Sequence, residues 1–196
     1  MDSNEDSNAV REAFDIFHDS LLWVAGGALA SQVPFWLQYA YGNFGARFHS
    51  IVVTPAAQRF VTMDALRPFA SEGFFIDDWN SPMSPDHVRV IDEITDVVVY
   101  PATFKLIADL SSFASSTPLQ LAVNGRDDRH IHLFSSLPPD AESTVAYEHF
   151  RRTFRDRSNV HLYDPMTGGS FVGDREGRPA VFFPRAIKTV AERRNP

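Results

Sequence analysis

The sequence predicts an α/β protein of one domain, a three-layer αβα sandwich built on a parallel sheet. Three observations carry that prediction. Apolar runs of strand length recur along the chain and are continuous rather than alternating: "LLWVA" (21–25), "SIVV" (50–53) and "DVVVY" (96–100). Strands covered on both faces read this way. Helical periodicity follows each run, as βαβ units require. The chain has 196 residues, 44% apolar and 22% charged, enough for one sizeable core and too few for two.

Taken in order, residues 1–8 form an acidic, polar lead expected to be disordered, and the domain occupies 9–196. Val10, Phe14 and Phe17 space a short amphipathic helix over 9–18. The first strand is 20–25. It ends at Gly26-Gly27-Ala28, before a helix at 29–41 with Pro34 near its first turn. "RFHSIVVT" (47–54) is the next strand, Pro55 opens a helix through Phe60, and a further short helix fits 62–70. Residues 71–85 carry loop signals. A helix runs from Pro85-Asp86 to about Glu93, followed by a strand at 96–100 and a helix at 104–115. Strands at 129–134 and 159–163 flank a helix at 141–155. A Gly-rich stretch follows, and a last helix covers 184–193. No internal repeat or linker divides the chain.

Composition excludes several functions. Without cysteine the chain has no disulfide, thiolate metal site or cysteine nucleophile. A net charge of −7, with only short basic clusters such as "RRTFRDR", argues against nucleic acid. No apolar run approaches the roughly 20 residues that cross a bilayer. The N-terminus reads as neither signal nor transit peptide, so a cytoplasmic location is expected.

In a parallel sheet, ligands bind beyond the C-terminal strand ends. Three of those ends, "VAGGALAS", "VVTPAAQ" and "VYPATFK", are small-residue or hydroxyl-bearing. Glycine admits close backbone approach, and first-turn N–H groups hold phosphate. Thr54 and Thr103 each add a hydroxyl. Gly26-Gly27-Ala28 has neither the dinucleotide spacing nor the P-loop lysine. The residues alone therefore reach a phosphate-bearing cofactor in an α/β crevice.

Together, in their order and spacing, "LLWVAGGALAS", "VVTPAAQRFVT" and "DVVVYPATFKLIADL" resemble the flavin-dependent cysteine decarboxylases. The resemblance is closer to the epidermin-type peptide enzymes and extends over residues 20–190. It implies a Rossmann-like or flavodoxin-like fold, with FMN or FAD held between subunits of a homotrimer or homododecamer. The flavin contacts it implies are Gly26, Gly27, Ala28, Thr54, Ala56, Pro101, Ala102 and Thr103. The implied substrate is a precursor peptide ending in cysteine. Oxidation of that cysteine and loss of carbon dioxide leave an enethiol, as in lantibiotic biosynthesis. His87, fourteen residues before Pro101, falls where the family keeps its active-site histidine, and the expected role is general base or thiol-orienting group.

Two segments depart from the family pattern. Its Pro-Ala-Ser-Ala-Asn-Thr is here Pro101-Ala102-Thr103-Phe104-Lys105-Leu106, which puts Lys105 at the asparagine. Its Pro-x-Met-Asn falls on about Phe134-Ser135-Ser136-Leu137, where no asparagine stands. Lys105 is either a crevice cation for a substrate carboxylate or reduced flavin, or a lysine on the exposed side of a helix start. A flavin-poor partner of other peptide-modifying enzymes and a phosphopantothenoylcysteine decarboxylase are the alternative readings.

Asp77, Asp78 and Asp86 lie near His87 in sequence and are expected to be solvated. His130 and His132 point to one face of a strand without a third ligand, so no metal is expected. Residues 164–179 are expected to form a flap over the peptide's C-terminus, with "SFV" and "AVFF" paired as a hairpin. The resemblance carries substrate contact to Met166, Gly168, Gly169, Ser170 and Phe171. The 17 Phe exceed what one core needs, which together with the resemblance predicts subunit contacts.

Overall fold

The computed structural model describes residues 13–81, 86–169 and 176–194. The acidic lead lies outside them, as does the start of the first expected helix. What is described of that helix ends in a 3-10 turn, Asp15–Asp19, burying Ile16 and Phe17. Six strands follow: β1 (Ser20–Val24), β2 (Phe48–Val53), β3 (Ala70–Ile76), β4 (Asp96–Thr103), β5 (His130–Ser136) and β6 (Val160–Tyr163). They form one sheet in the order β3-β2-β1-β4-β5-β6, with every pairing parallel. This is the doubly wound Rossmann order, which reverses direction between β1 and β4.

The α-helices described in full that cover the faces are α1 (Val33–Phe44), α2 (Asp86–Glu93), α3 (Phe104–Ser111), α4 (Pro118–Asn124), α5 (Val145–Arg155) and α6 (Phe183–Arg194). Because successive strand side chains point to opposite faces, β1 splits between two cores. Leu22 and Val24 join Leu37, Phe48, Phe183 and Ile187 on one side. Leu21 and Trp23 join Val90, Ile107, Leu119 and Phe150 on the other. Both faces of the central strands are covered by buried apolar side chains, which explains why β1, β2 and β4 read as nearly unbroken apolar runs. Much of the phenylalanine belongs here: Phe17 stacks on Phe48 with centroids 3.8 Å apart. Phe35, Phe60, Phe113 and Phe182 stay exposed.

Four expectations are corrected. Residues 70–76 are a strand, not the end of a short helix and the start of a loop; only Arg67–Phe69 of that expected helix is helical, as a 3-10 turn. β3 is an edge strand with mixed exposure, so it lacks the continuous apolar run. β4 extends through Pro101 to Thr103. Proline has no N–H for the ladder, and the register with β5 jumps between Val99 and Ala102. α4 is an additional helix, with Thr117 capping it and Pro118 in its first turn. The hairpin is not the one expected: Gly168–Gly169 pairs antiparallel with Glu176–Gly177. "SFV" lies outside the described residues, while Phe183 of "AVFF" opens α6. Among the described residues no helix is long and apolar enough to cross a membrane.

Candidate active site

At the β1/β4 reversal, the strand ends open into a cleft of about 380 Å³. Its walls are Gly26 to Leu29 after β1, Thr103 to Lys105 after β4, Ser136 to Pro139 after β5, and Gly177 to Pro179 from the late hairpin. Two glycines make the β1 turn possible. A Cβ on Gly26 would stand 2.5 Å from the Ala56 Cβ and 2.7 Å from its carbonyl carbon. The loops after β1 and β2 are thus in backbone contact, an approach only glycine allows. A Cβ on Gly27 would fall 3.3 Å from the Pro101 ring and 3.6 Å from the Thr103 methyl, closing the gap between the β1 and β4 loops.

Both threonines cap helical turns. Thr54 Oγ1 accepts the Ala57 N–H and Thr103 Oγ1 accepts the Leu106 N–H, while the Thr54 N–H donates to Val24 O. Ala102 is fully buried beneath. Of the expected flavin contacts, Gly26, Gly27, Ala28 and Thr103 line one cleft, and Ala56 and Pro101 buttress it. Thr54 stands at the β2 end beside them, outside the lining.

Among the described residues, the charged ones in the lining are Lys105 and Arg178. Leu29, Phe104, Leu137, Pro138 and Pro139 supply apolar wall. A crevice with glycine turns, a hydroxyl and apolar flanks fits a flat ring system carrying phosphate. Lys105 combines both readings offered for it: it lines the cleft, while its side chain is 82% exposed and pairs with Asp109 at 2.5 Å, one turn along α3.

His87 does not line this cleft. It sits in the first turn of α2, its ring edge-on to exposed Trp79 at 5.6 Å. The nearby acids divide. Asp77 is buried rather than solvated: Oδ1 accepts the Leu119 N–H and Oδ2 the Thr117 hydroxyl, each at 2.8 Å. That carboxylate joins β3 to the first turn of α4. Burial outweighs these hydrogen bonds and pushes it up to about 6. Asp78 instead accepts from Asn80 at the surface. The side chain of Asp86 lies outside the described residues.

The late segment meets the cleft through its descending arm. The Leu137 N–H donates to Arg178 O at 2.7 Å, and the Met166 N–H donates to Pro179 O at 2.8 Å. Gly168 packs on the Pro179 ring, where a Cβ would come within 3.0 Å. Ser170 and Phe171 lie outside the described residues. Arg178 lies in the 164–179 stretch expected to cover the site but was not singled out as a contact, and neither were Pro138-Pro139. The two prolines just past β5 were the available signal.

The histidines lie at the opposite, N-terminal edge of the sheet. His132 Nε2 contacts Asp96 Oδ1 at 2.7 Å and Nδ1 contacts the Tyr163 hydroxyl at 3.0 Å. Asp96 Oδ2 takes the Arg194 Nε–H at 2.6 Å. Burial holds the His132 imidazole below its ordinary range despite Asp96, whereas the His132 and Arg194 contacts hold the Asp96 carboxyl low against its burial. No group of three His, Cys, Asp or Glu that could hold a metal ion occurs among the described residues.

No family model matches the chain. A cypemycin cysteine dehydrogenase (decarboxylating) from a Streptomyces species is 25% identical over 155 residues, covering 78% of this chain and 79% of that protein. The crystal structure of the FMN-dependent cysteine decarboxylase SpaF superposes with a TM-score of 0.69 at 18% identity, covering 90% of this chain and 97% of the other. The peptidyl-cysteine decarboxylase EpiD, complexed with the substrate peptide DSYTC, gives a TM-score of 0.70 at 13% identity, over 87% and 97% of the two chains. The chain thus shares its fold with the cysteine decarboxylases of known structure and is similar in sequence to one curated cysteine decarboxylase.

Proposed function

We propose that the protein is an FMN-dependent decarboxylase that oxidises the C-terminal cysteine of a ribosomally made precursor peptide, leaving an aminoenethiol. The observation that carries this reading is the cleft at the β1/β4 reversal, lined by glycine turns, the Thr103 hydroxyl and apolar wall, in a chain similar to cysteine decarboxylases. Its Gly26-Gly27-Ala28 and Thr103 lining is intact, which argues against a flavin-poor binding partner.

Held by Gly26, Gly27, Ala28 and Thr103, FMN would supply the two-electron acceptor that oxidation of the cysteine side chain needs before carbon dioxide is lost. The chain's own contribution is placement and charge. Gly26, Gly27 and Ala28 let a ligand reach the backbone after β1. Thr103 offers its hydroxyl at the start of α3, and Leu137, Pro138 and Pro139 keep water from one wall. His87 serves as the base or thiol-orienting group. It lies outside the lining of its own chain's cleft, so this role requires a second subunit to present it. The proposed assembly is therefore a homotrimer or homododecamer with the cofactor at a subunit boundary.

The test is the absorbance spectrum of the purified protein, followed by identification of whatever denaturation releases. Flavin bands and stoichiometric FMN are expected. A colourless protein that takes up no added FMN would overturn the assignment.

A further inference from the structure

We propose that the pocket at the N-terminal edge of the sheet is a second binding site, one that takes a compact oxyanion such as sulfate or a phosphate group. This pocket, of about 320 Å³, is bounded by the starts of β4, β5 and β6 and the last turn of α6. β4 runs from it, at Asp96, to the cleft, at Thr103, so the two lie a strand length apart. Its polar groups fall into two sets. Asp96, His132 and Arg194 satisfy one another: Asp96 Oδ1 contacts His132 Nε2 at 2.7 Å, and Oδ2 takes the Arg194 Nε–H at 2.6 Å. Arg194 also donates to Asp19 Oδ2 and to the Ser20 hydroxyl, each at 3.1 Å. The Tyr163 hydroxyl meets His132, and the Thr95 hydroxyl donates to Asp19. This set has no donor to spare for a ligand.

The second set is Arg193, His130 and His161. Arg193 lines the pocket and pairs with no acid among the described residues. His130 Nδ1 and His161 Nε2 stand 3.3 Å apart, with the rings stacked at 5.5 Å. Two nitrogens facing at that distance share one proton, so the pair holds two protons when neutral and three when singly charged. Only the charged pair has an N–H on the far nitrogen of both rings. Burial, His132 and Arg193 hold His161 down at about 4. An anion beside Arg193 supplies the opposite charge that the third proton needs. The pocket thus offers a guanidinium and two imidazole N–H groups from three elements. Donors converging from several directions suit a tetrahedral dianion better than a planar carboxylate, which one guanidinium edge can grip alone.

The test is calorimetric titration of sodium sulfate into the purified full-length protein with FMN added, at pH 6 and pH 8, with chloride holding ionic strength constant. Sulfate stays a dianion at both pH values, so any pH dependence belongs to the protein. One saturable site is expected, about fivefold or more tighter at pH 6. Binding should take up as much as about one proton per anion, read by repeating the titration in buffers of different ionisation enthalpy. Arg193→Gln, at an exposed position, and His161→Gln should each weaken binding about tenfold or more, while Arg193→Lys keeps part of it. Glycerol phosphate at pH 6 separates the sources: binding tighter than sulfate assigns the site to a phosphorylated metabolite, and equal or weaker binding to a free oxyanion. Histidines with a merely structural role would give no saturable heat at pH 6. That result, equal affinity at the two pH values, binding that survives both glutamine variants, or displacement of FMN by sulfate would overturn the inference.

Discussion

Replacing His161 isolates the pH sensitivity of the lower sheet edge. The imidazole is 9% exposed and lies beside a pocket of about 320 Å³ that also holds His130, His132, Asp96, Arg193 and Arg194. Burial first, then His132 and Arg193, depress it from 6.5 to about 4. The native state therefore prefers the neutral ring, and the unfolded chain binds the extra proton between about pH 6.5 and pH 4. Stability contributed by this ring is present above that window and is lost as pH falls through it. Linkage gives about 2 kcal/mol between pH 7 and pH 5, reduced to about 1 to 2 kcal/mol by solvent in the pocket. His132 acts in the same direction. Asp77 opposes it: raised to about 6, it favours the folded state as pH falls from 7 to 5. The decisive quantity is thus a difference between proteins. Urea unfolding of wild type and His161→Gln at both pH values should show the wild type losing about 1 to 2 kcal/mol more. Parallel losses would refute the claim that this histidine is buried neutral.

Other substitutions bear on the site. Gly26→Ala would drive a methyl into Ala56, with 2.5 Å to its Cβ; we expect lost flavin absorbance and a destabilisation of about 1 to 3 kcal/mol by urea melt. Asp77→Ala removes both bonds that join β3 to α4 and should cost about 2 to 4 kcal/mol, while Asp77→Asn, which keeps an acceptor, costs less. His87→Asn should retain fold and flavin, because its partly exposed ring fills no core position, yet abolish decarboxylation. Wild-type turnover by that variant would remove His87 from the mechanism.

Five of the six strands in the sheet are legible: β1, β2 and β4 as apolar runs covered on both faces, β5 and β6 as short strand-forming runs that carry histidines. β3 escapes because "ASEGFFI" opens on small and charged residues, alternates imperfectly and contains Gly73. The glycine is explained only by tertiary packing, since a Cβ there would stand 2.6 Å from Ser50 Oγ and 3.2 Å from Val90. α4 did carry its signal, Thr117 before Pro118, in a stretch that otherwise resembles a loop. The glycine and threonine half of the cleft is local chemistry at strand ends and can be read from sequence. The Arg178 half cannot, because it reaches the cleft through a backbone bridge to Leu137, some forty residues away in sequence. Asp77 shows the same limit: its burial depends on α4 arriving above it.

The central claim is oxidation and decarboxylation of a C-terminal cysteine by this chain. It is tested by incubating the flavin-loaded protein, without oxygen, with a stoichiometric amount of cysteine-ending peptide, recording flavin absorbance and peptide mass together. The account predicts bleaching of the flavin in step with a loss of about 46 Da, carbon dioxide plus two hydrogens. A flavin that stays oxidised while every cysteine-ending peptide keeps its mass would contradict it.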